Sequence, residues 1–356
     1  MATDVLIIGG GLSGLYLADH LHRAGIDFKL LEARDRFGGR ISAFRHKGQT
    51  FDLGPAWFWP GQPRMSALVE RFSLRQFDQY STGVLSYEDE RGQVRRGEGF
   101  ASLQGSWRLE GGFDALIRAL SDALPKDRLN LSMPVQSLSK EDGVIAVTDS
   151  GSRVRAKRVV LALPPRLATE RIVFHPPLEG SAQKAMESTP TWMAGQAKAL
   201  AIYDRPFWRE AGLSGDAMSR MGPMVEIHDA SPARNGPFAL FGFIGVPPEH
   251  RQDQERLRES ILAQLVRLFG QDAGAPEALT LKDWAFDTWT STPLDQMPLS
   301  AHPHYGLPAL LSDLWDGSLL VSGTEVASQF GGFLEGALEA AEHSFSILIG
   351  DQKDGS

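Results

Sequence analysis

The sequence predicts an α/β fold in which a doubly wound domain is interleaved with a smaller α+β domain. Three observations predict it. An apolar strand, a glycine turn and a helix follow one another at the N terminus, a second strand, glycine pair and helix stand at the C terminus, and strand-like runs lie between them. At about 150 residues per domain, a chain of 356 residues divides into two such units, enough to bury a sizeable core.

Composition narrows the function before any motif is read. With 42% hydrophobic and 22% charged residues, the chain has the balance of an ordinary globular protein, with disorder expected only in the tail DQKDGS. The net charge of -8 leaves no electrostatic footprint for nucleic acid, and the basic stretch RGQVRRG reads as a solvated hairpin turn. Zero Cys excludes disulfides, thiolate metal sites, catalytic thiols and any cofactor tethered through a cysteine thioether. No apolar stretch approaches the ~20 residues of a membrane span, and MATDVLIIGGG runs into a strand with no basic region before it, so a cytoplasmic location is expected. Nothing in the sequence assigns an oligomeric state.

The first element is the strand Val5 to Ile8 of DVLIIGGGLSGLYLADHLHRAGIDFKLLEARDRFGGR. It turns through Gly9, Gly11 and Gly14 in the spacing G-x-G-x-x-G and continues as a helix from Leu12 to about Ala24, which Gly25 ends. Gly9 permits the tight turn, Gly11 lets a pyrophosphate approach the backbone, and Gly14 lets helix and strand pack closely. The helix start adds N–H groups and the positive end of its dipole. A second strand, DFKLLE, ends at Glu32, about 20 residues on, where a carboxylate accepts both hydrogen bonds of a ribose diol. A dinucleotide is therefore expected, and the cradle alone does not separate NAD from FAD.

The segment ARDRFGGR after Glu32 resembles the FAD-binding N terminus of the flavin-containing amine oxidase superfamily. The resemblance covers nearly the whole chain. FDLGPAWFWPGQPR looks like the segment passing beneath the flavin ring, LEGGFDALIRAL like the turn and helix that return to the cofactor domain, and MPVQSL like the strand whose Val135 backbone meets adenine. AKRVVLALPPRLATERIVFHPPL is similar to the family's strand, double-proline turn and re-entry to the second domain, and LLVSGTEVASQFGGFLEGALEAAEHSFSIL to its C-terminal strand and helix. It implies that Arg34 and Arg40 approach the FAD phosphates, that Gly54, Pro55, Ala56 and Trp57 lie against the ring, and that Glu325 bonds the ribityl or phosphate region. It extends the cofactor contacts to Leu12, Ser13, Ala33, Gly39, Trp284, Phe333 and Leu334, and points the C-terminal helix dipole at the pyrimidine edge, where it favours reduction. The FAD-binding domain it implies comprises residues 1–75, 108–187 and 285–356, and the substrate domain 76–107 and 188–284. Without a cysteine, the FAD is expected to be held non-covalently.

In GQAKALAIYDRPFW one cation sits inside an apolar strand. Alternation puts Lys198, Leu200 and Ile202 on one face and Ala199 and Ala201 on the other, as in a strand covered on both sides. An ammonium there must find a partner or lose its proton. The residues alone leave two readings: a lysine whose stem packs while its head reaches water, or a functional cation. Lys198 stands eight residues before Pro206 of PFW, which matches the family's lysine that hydrogen-bonds a water on flavin N5. The resemblance thus makes Lys198 the catalytic candidate, ordering water for flavin reoxidation by dioxygen or for imine hydrolysis. Nothing else competes: His302 and His304 lack a third ligand for a metal, there is no G-x-S-x-G elbow, and PEHRQDQERLRESILAQLVRLFG reads as an amphipathic helix with Leu257, Ile261, Leu265 and Phe269 on one face.

The sequence departs from the family in ways that bear on substrate. Only about fifty residues separate PAWFWP from LEGGFDAL, which implies a shortened substrate domain and a more open cavity. Phe333 supplies one aromatic wall facing the flavin, while the opposite wall falls near Leu294, with Trp289 or Tyr305 as replacements. Trp57 stands where amino-acid oxidases carry a carboxylate-clamping Arg, so an α-amino acid is disfavoured unless Arg64 or Arg220 substitutes. Glu226 and Asp229 are the grouped acids that could form a polyamine tunnel, and they read as solvated. The expected activity is hydride transfer from a carbon next to a neutral apolar or aromatic amine to flavin N5, with dioxygen as acceptor and Trp57 and Phe333 contacting the substrate. The alternatives are a desaturase or porphyrinogen-oxidase-like flavoprotein, and a flavin-binding protein without catalysis.

Overall fold

Two sheets share one chain that crosses between them more than once. The computed structural model describes residues 2–297, 299 and 301–353, with side chains through 350. The last residues of the tail expected to be disordered lie outside the described residues.

The first sheet is built on parallel strands. Ala2–Ile8 pairs with Phe28–Leu31 on one side and Arg153–Ala162 on the other, and Leu319–Ser322 joins the far half of Arg153–Ala162. Val135–Glu141 and Gly143–Thr148 form an antiparallel extension from its near half. The strands are near-continuous apolar runs because helices cover one face and loops and short helices the other. Leu12–Arg23 and the C-terminal Leu334–Lys353 pack side by side, burying Leu15, Leu17, Leu21, Leu338 and Ala341 in one cluster with Ile7 and Leu30. The N-terminal strand begins earlier than its apolar run, since Ala2 and Thr3 already pair with Arg155 and Ala156.

The second sheet has seven strands and is mostly antiparallel, in the order Ala278–Asp283, Ala197–Tyr203, Phe238–Ile244, Met224–Asp229, Leu213–Ser219, Val84–Glu88, Val94–Arg96. Its last two strands form the hairpin around Arg91 and Gly92. They arise early in the chain, so the second sheet is threaded through the first, which is the interleaving expected. The helix Gln254–Phe269 starts later than its amphipathic pattern, because Pro247 and Pro248 keep the preceding residues in a short turn and Asp253 caps the helix by accepting from Arg256 N–H at 3.1 Å. Ala197, Ala199 and Ala201 pack with Leu257, Ile261 and Leu265 of this helix, while Leu200 and Ile202 pack with Phe51 and Leu53 on the opposite face. Small residues on one side of Ala197–Tyr203 let the helix lie close. The other side, carrying Lys198, turns towards the first sheet.

Candidate active site

A long cavity of about 500 Å³ runs between the sheets. At one end it meets the N-terminal turn. Gly9 has φ +110 and a Cβ there would come within 2.4 Å of the Ala162 carbonyl oxygen, while a Cβ on Gly14 would stand 2.0 Å from the Gly9 carbonyl oxygen. Gly11 differs, since nothing lies within 4 Å of its Cβ position and it lines the cavity together with Leu12 and Ser13. The helix behind them has no side-chain cap and no acidic residue in its first turn, so its free N–H groups and dipole face the opening. Glu32 is 4% exposed on the wall, its Oε2 accepting from Gly10 N–H at 2.7 Å and its Oε1 from Arg34 N–H at 2.8 Å. Each carboxylate oxygen has a further lone pair for a diol. Ser132 and Met133 N–H groups bond the Arg34 and Glu32 carbonyls, which brings Val135 beside the acid. An anionic pyrophosphate on open N–H groups and a ribose on a buried carboxylate fit these residues.

At the other end the second sheet is pinned to the segment after the hairpin strand Gln49–Asp52 through consecutive carbonyls. Trp284 Nε1 donates to the Leu53 carbonyl at 3.2 Å and Lys198 Nζ donates to the Gly54 carbonyl at 2.6 Å. Gly54 is obligatory, because a Cβ would sit 1.9 Å from the Arg40 carbonyl oxygen. Lys198 is 3% exposed, so its head does not reach bulk water. It lies over the rings of Phe241 at 4.5 Å, Phe243 at 5.2 Å and Trp57 at 5.5 Å, a cage in which ring quadrupoles partly replace hydration. Burial, with Arg108 adding repulsion, pushes its ammonium down to about 7, against the pull of Asp52. Asp52, also buried, is pushed up to about 6 despite Arg108, the Phe113 N–H and Lys198. Lys198 can therefore hold or release a proton near neutrality.

The family model described as flavin containing amine oxidoreductase matches residues 12–99 and 82–344. The chain belongs to this family. Its cofactor is accordingly a flavin, and it is an oxidoreductase. Over 445 aligned positions it is 24% identical to a Dictyostelium discoideum protein described as a probable flavin-containing monoamine oxidase A, with 95% of each chain covered. It is 24% identical to an L-amino acid dehydrogenase of Synechocystis, with 98% of this chain and 95% of that one covered. Both alignments run longer than this chain of 356 residues, so the relatives carry segments that it lacks. Among solved structures it shares its fold with a putrescine oxidase bound to putrescine (TM-score 0.83, 22% identity, 98% and 99% of the two chains) and with a cyclohexylamine oxidase of Brevibacterium oxydans (TM-score 0.82, 21%, 99% and 99%).

In this flavin amine oxidoreductase the wall holds Ala33, Arg34, Gly39 and Arg40 in its first half, and Pro55, Trp57, Phe333 and Leu334 in its second. Gly14, Ala56 and Glu325 stand behind the wall. Gly14 and Ala56 pack the layer below, and Glu325, fully buried, gives both oxygens to Arg40 at 2.6 and 3.0 Å. The Glu325 carboxylate thus orients an arginine of the wall. Arg36 of the same loop is turned inward, donating to the carbonyls of Phe37, Gly39 and Ile41 and so shaping the double-glycine turn.

The substrate-end expectations are redrawn. Arg64 pairs with Glu335 and Glu342, and Arg220 lies near Glu90 at the surface, so neither lines the cavity. Asp229 is not solvated: it is fully buried and accepts from Trp208 and Arg209. Glu226 accepts from Ser102 and His228, and His228, buried between it and Asp216, is held above its ordinary range by those two carboxylates against the opposing effect of burial. Leu294 is 62% exposed and off the wall. The aromatic side chains that do line the cavity include Trp59, Trp192 and Trp289. Trp192 abuts Gly332, and His302 stacks on Phe333 at 5.3 Å while packing tilted against Trp192 at 4.6 Å. Met193, beside Trp192, has φ +62, a left-handed conformation that turns this segment into the cavity. Among the described residues no group of three or more His, Cys, Asp or Glu could hold a metal ion, and no helix is long and apolar enough to cross a membrane.

Proposed function

We propose that the protein binds FAD non-covalently in this cavity and oxidises an apolar or aromatic amine without a carboxylate to the imine, with dioxygen as electron acceptor. FAD supplies the hydride acceptor, its N5. Glu32 accepts the ribose hydroxyls, the open face of Gly11 and the first turn of Leu12–Arg23 receive the pyrophosphate, and Arg34 and Arg40 complete the charge balance around it.

The observation that carries the substrate reading is the polarity of the wall. Among the described residues that line the cavity, Glu32 is the sole carboxylate, and its place is at the ribose end. The substrate end is walled mainly by Trp57, Trp59, Trp192, Phe243 and Phe333, with Gln62, Gln196 and Lys198 as its polar side chains. A cation entering there finds no counter-charge, so the neutral amine binds best and the rings bury its apolar body. Trp57 stands in the place of a carboxylate clamp and packs face to face on Phe241 and edge-on against Phe243, so no guanidinium occupies that position to pair with an α-carboxylate. Lys198, with one donor on the Gly54 carbonyl, keeps its remaining capacity for a water at the cavity wall, as its match to the family lysine implies. That water serves imine hydrolysis or the reoxidation step.

The test is peroxide formation by the FAD-loaded protein with benzylamine-like amines, putrescine and L-amino acids from pH 6 to 10. Peroxide from the benzylamine-like set, rising with pH until the bound amine is neutral, is expected. Turnover of an L-amino acid alone would overturn the substrate class, and no turnover of any amine would favour a desaturase-like flavoprotein.

A further inference from the structure

We infer that Asp287 is a clasp that retains the cofactor, closing the loop that follows Ala278–Asp283 over the cavity. The loop contributes Trp284, Trp289 and Thr290 to the cavity wall, and so runs along it from the ring end to the Arg34 end. At its start Trp284 is anchored to the Leu53 carbonyl, and at its finish Ser291 Oγ donates to the carbonyls of Ala194 and Trp284.

Asp287 joins the parts between. Its Oδ1 accepts from Arg34 Nη2 at 2.5 Å and from Trp289 N–H at 3.2 Å, and its Oδ2 accepts from Lys282 Nζ at 2.5 Å. Arg34 Nη2 also donates to Thr290 Oγ1 at 2.9 Å. Arg34 belongs to the loop after Glu32 in the first sheet and Lys282 to the edge strand of the second, so one carboxylate ties both sheets to the loop. The pair is shielded, with Arg34 at 11% and Asp287 at 10% side-chain exposure. Burial raises the Asp287 carboxyl, but Arg34, Lys282 and Thr290 together hold it below the usual carboxylate range, so it stays ionised near neutrality. Arg171, which also lines the cavity, lies 5.8 Å over the Trp289 ring, a second hold from the helix Pro165–Arg171.

A cofactor lying along the cavity beneath this loop leaves only when the loop lifts, and lifting it separates Asp287 from two cations in a poorly hydrated place. Such separations act on dissociation rate more than on association. In a chain without cysteine, the clasp does by kinetics what a covalent flavin bond would do by chemistry. Asp287 touches the loop and Arg34, so it is a positioning residue.

The inference rests on the FAD site proposed above. The experiment loads wild type, Asp287→Asn and Asp287→Glu with FAD, dilutes each, and follows the return of free-FAD fluorescence. The flavin-free proteins are melted in parallel. Asp287→Asn should release FAD about tenfold or more faster than wild type, with Asp287→Glu recovering most of the slow rate, both read at a temperature below the melting point of every flavin-free protein. If Asp287→Asn does not fold, Lys282→Met and Arg171→Ala each remove one hold and should both speed release. Release at the wild-type rate from every folded variant overturns the clasp while leaving the FAD site intact. Failure of the wild type to take up FAD overturns the FAD site and the clasp with it.

Discussion

Replacing Lys198 with methionine keeps the volume of the stem and removes the buried charge. Burial pushes its pKa down from 10.5 to about 7, so folding with the charged form carries a cost that the methionine does not. The substitution strands the Gly54 carbonyl, which loses its donor and returns roughly 1–3 kcal/mol of that gain. Lys198→Met should therefore stabilise the flavin-free protein at neutral pH by on the order of 1 kcal/mol, a rise of a few degrees in Tm. The sign in pH follows from the folded pKa being lower than the unfolded one. The unfolded chain binds the extra proton between about pH 7 and 10.5, so the wild type's cost is full below pH 7, shrinks as pH rises, and vanishes above pH 10.5. Thermal melts of both proteins at pH 6, 7.5, 9 and 10 measure it, and the difference in Tm should narrow steadily with pH. A difference that stays constant over that range, or a mutant less stable at every pH, refutes the burial of a charge-shifted lysine.

Gly11→Ala adds a methyl that meets no protein atom at a residue with φ -74, so the protein should fold and yet bind FAD weakly, whereas Gly14→Ala drives a methyl to 2.0 Å from the Gly9 carbonyl oxygen and should cost the fold itself; circular dichroism and FAD titration separate the two. Glu32→Ala removes a charged acceptor worth about 1.5–3 kcal/mol, so FAD affinity should fall by at least tenfold in fluorescence titrations, and an unchanged affinity would remove Glu32 from the ribose site. Arg40→Ala takes both guanidinium donors from the fully buried Glu325 carboxyl, a loss of about 3–5 kcal/mol readable in urea unfolding. Acid precipitation of the loaded protein should leave a yellow supernatant, and a yellow pellet under a colourless one would reveal a flavin linked through another side chain.

What the sequence made legible is local. The strand, glycine turn, helix and acid of the first 32 residues follow from spacing alone, because each glycine answers a contact within the same turn, as the Gly9 and Gly14 clearances show. The alternation around Lys198 likewise told which face it occupies. Its partners did not show, since the Gly54 carbonyl lies 144 positions away and the ring cage is assembled from two other segments. The same holds for Glu325, expected to touch cofactor and found on Arg40 across 285 positions. Asp229, read as a solvated acid, is buried because Trp208 and Arg209 fold back onto it, and nothing in MVEIHDA signals those donors. Asp287 stands among aromatic residues in WAFDTW, and although Lys282 is five residues away, its Arg34 partner comes from 253 positions off and does not show in the sequence. A substrate wall at Trp192 was hidden for a related reason, since it depends on the left-handed backbone at Met193.

The measurement that tests the central claim most directly is the absorbance of the FAD-loaded protein near 450 nm under anaerobic conditions, before and after a benzylamine-like amine is added at pH 9. The account predicts that the yellow colour bleaches and returns when air is admitted, and that an α-amino acid with the same side chain leaves it unchanged. A spectrum that no amine alters, in a protein that holds its FAD, would contradict it.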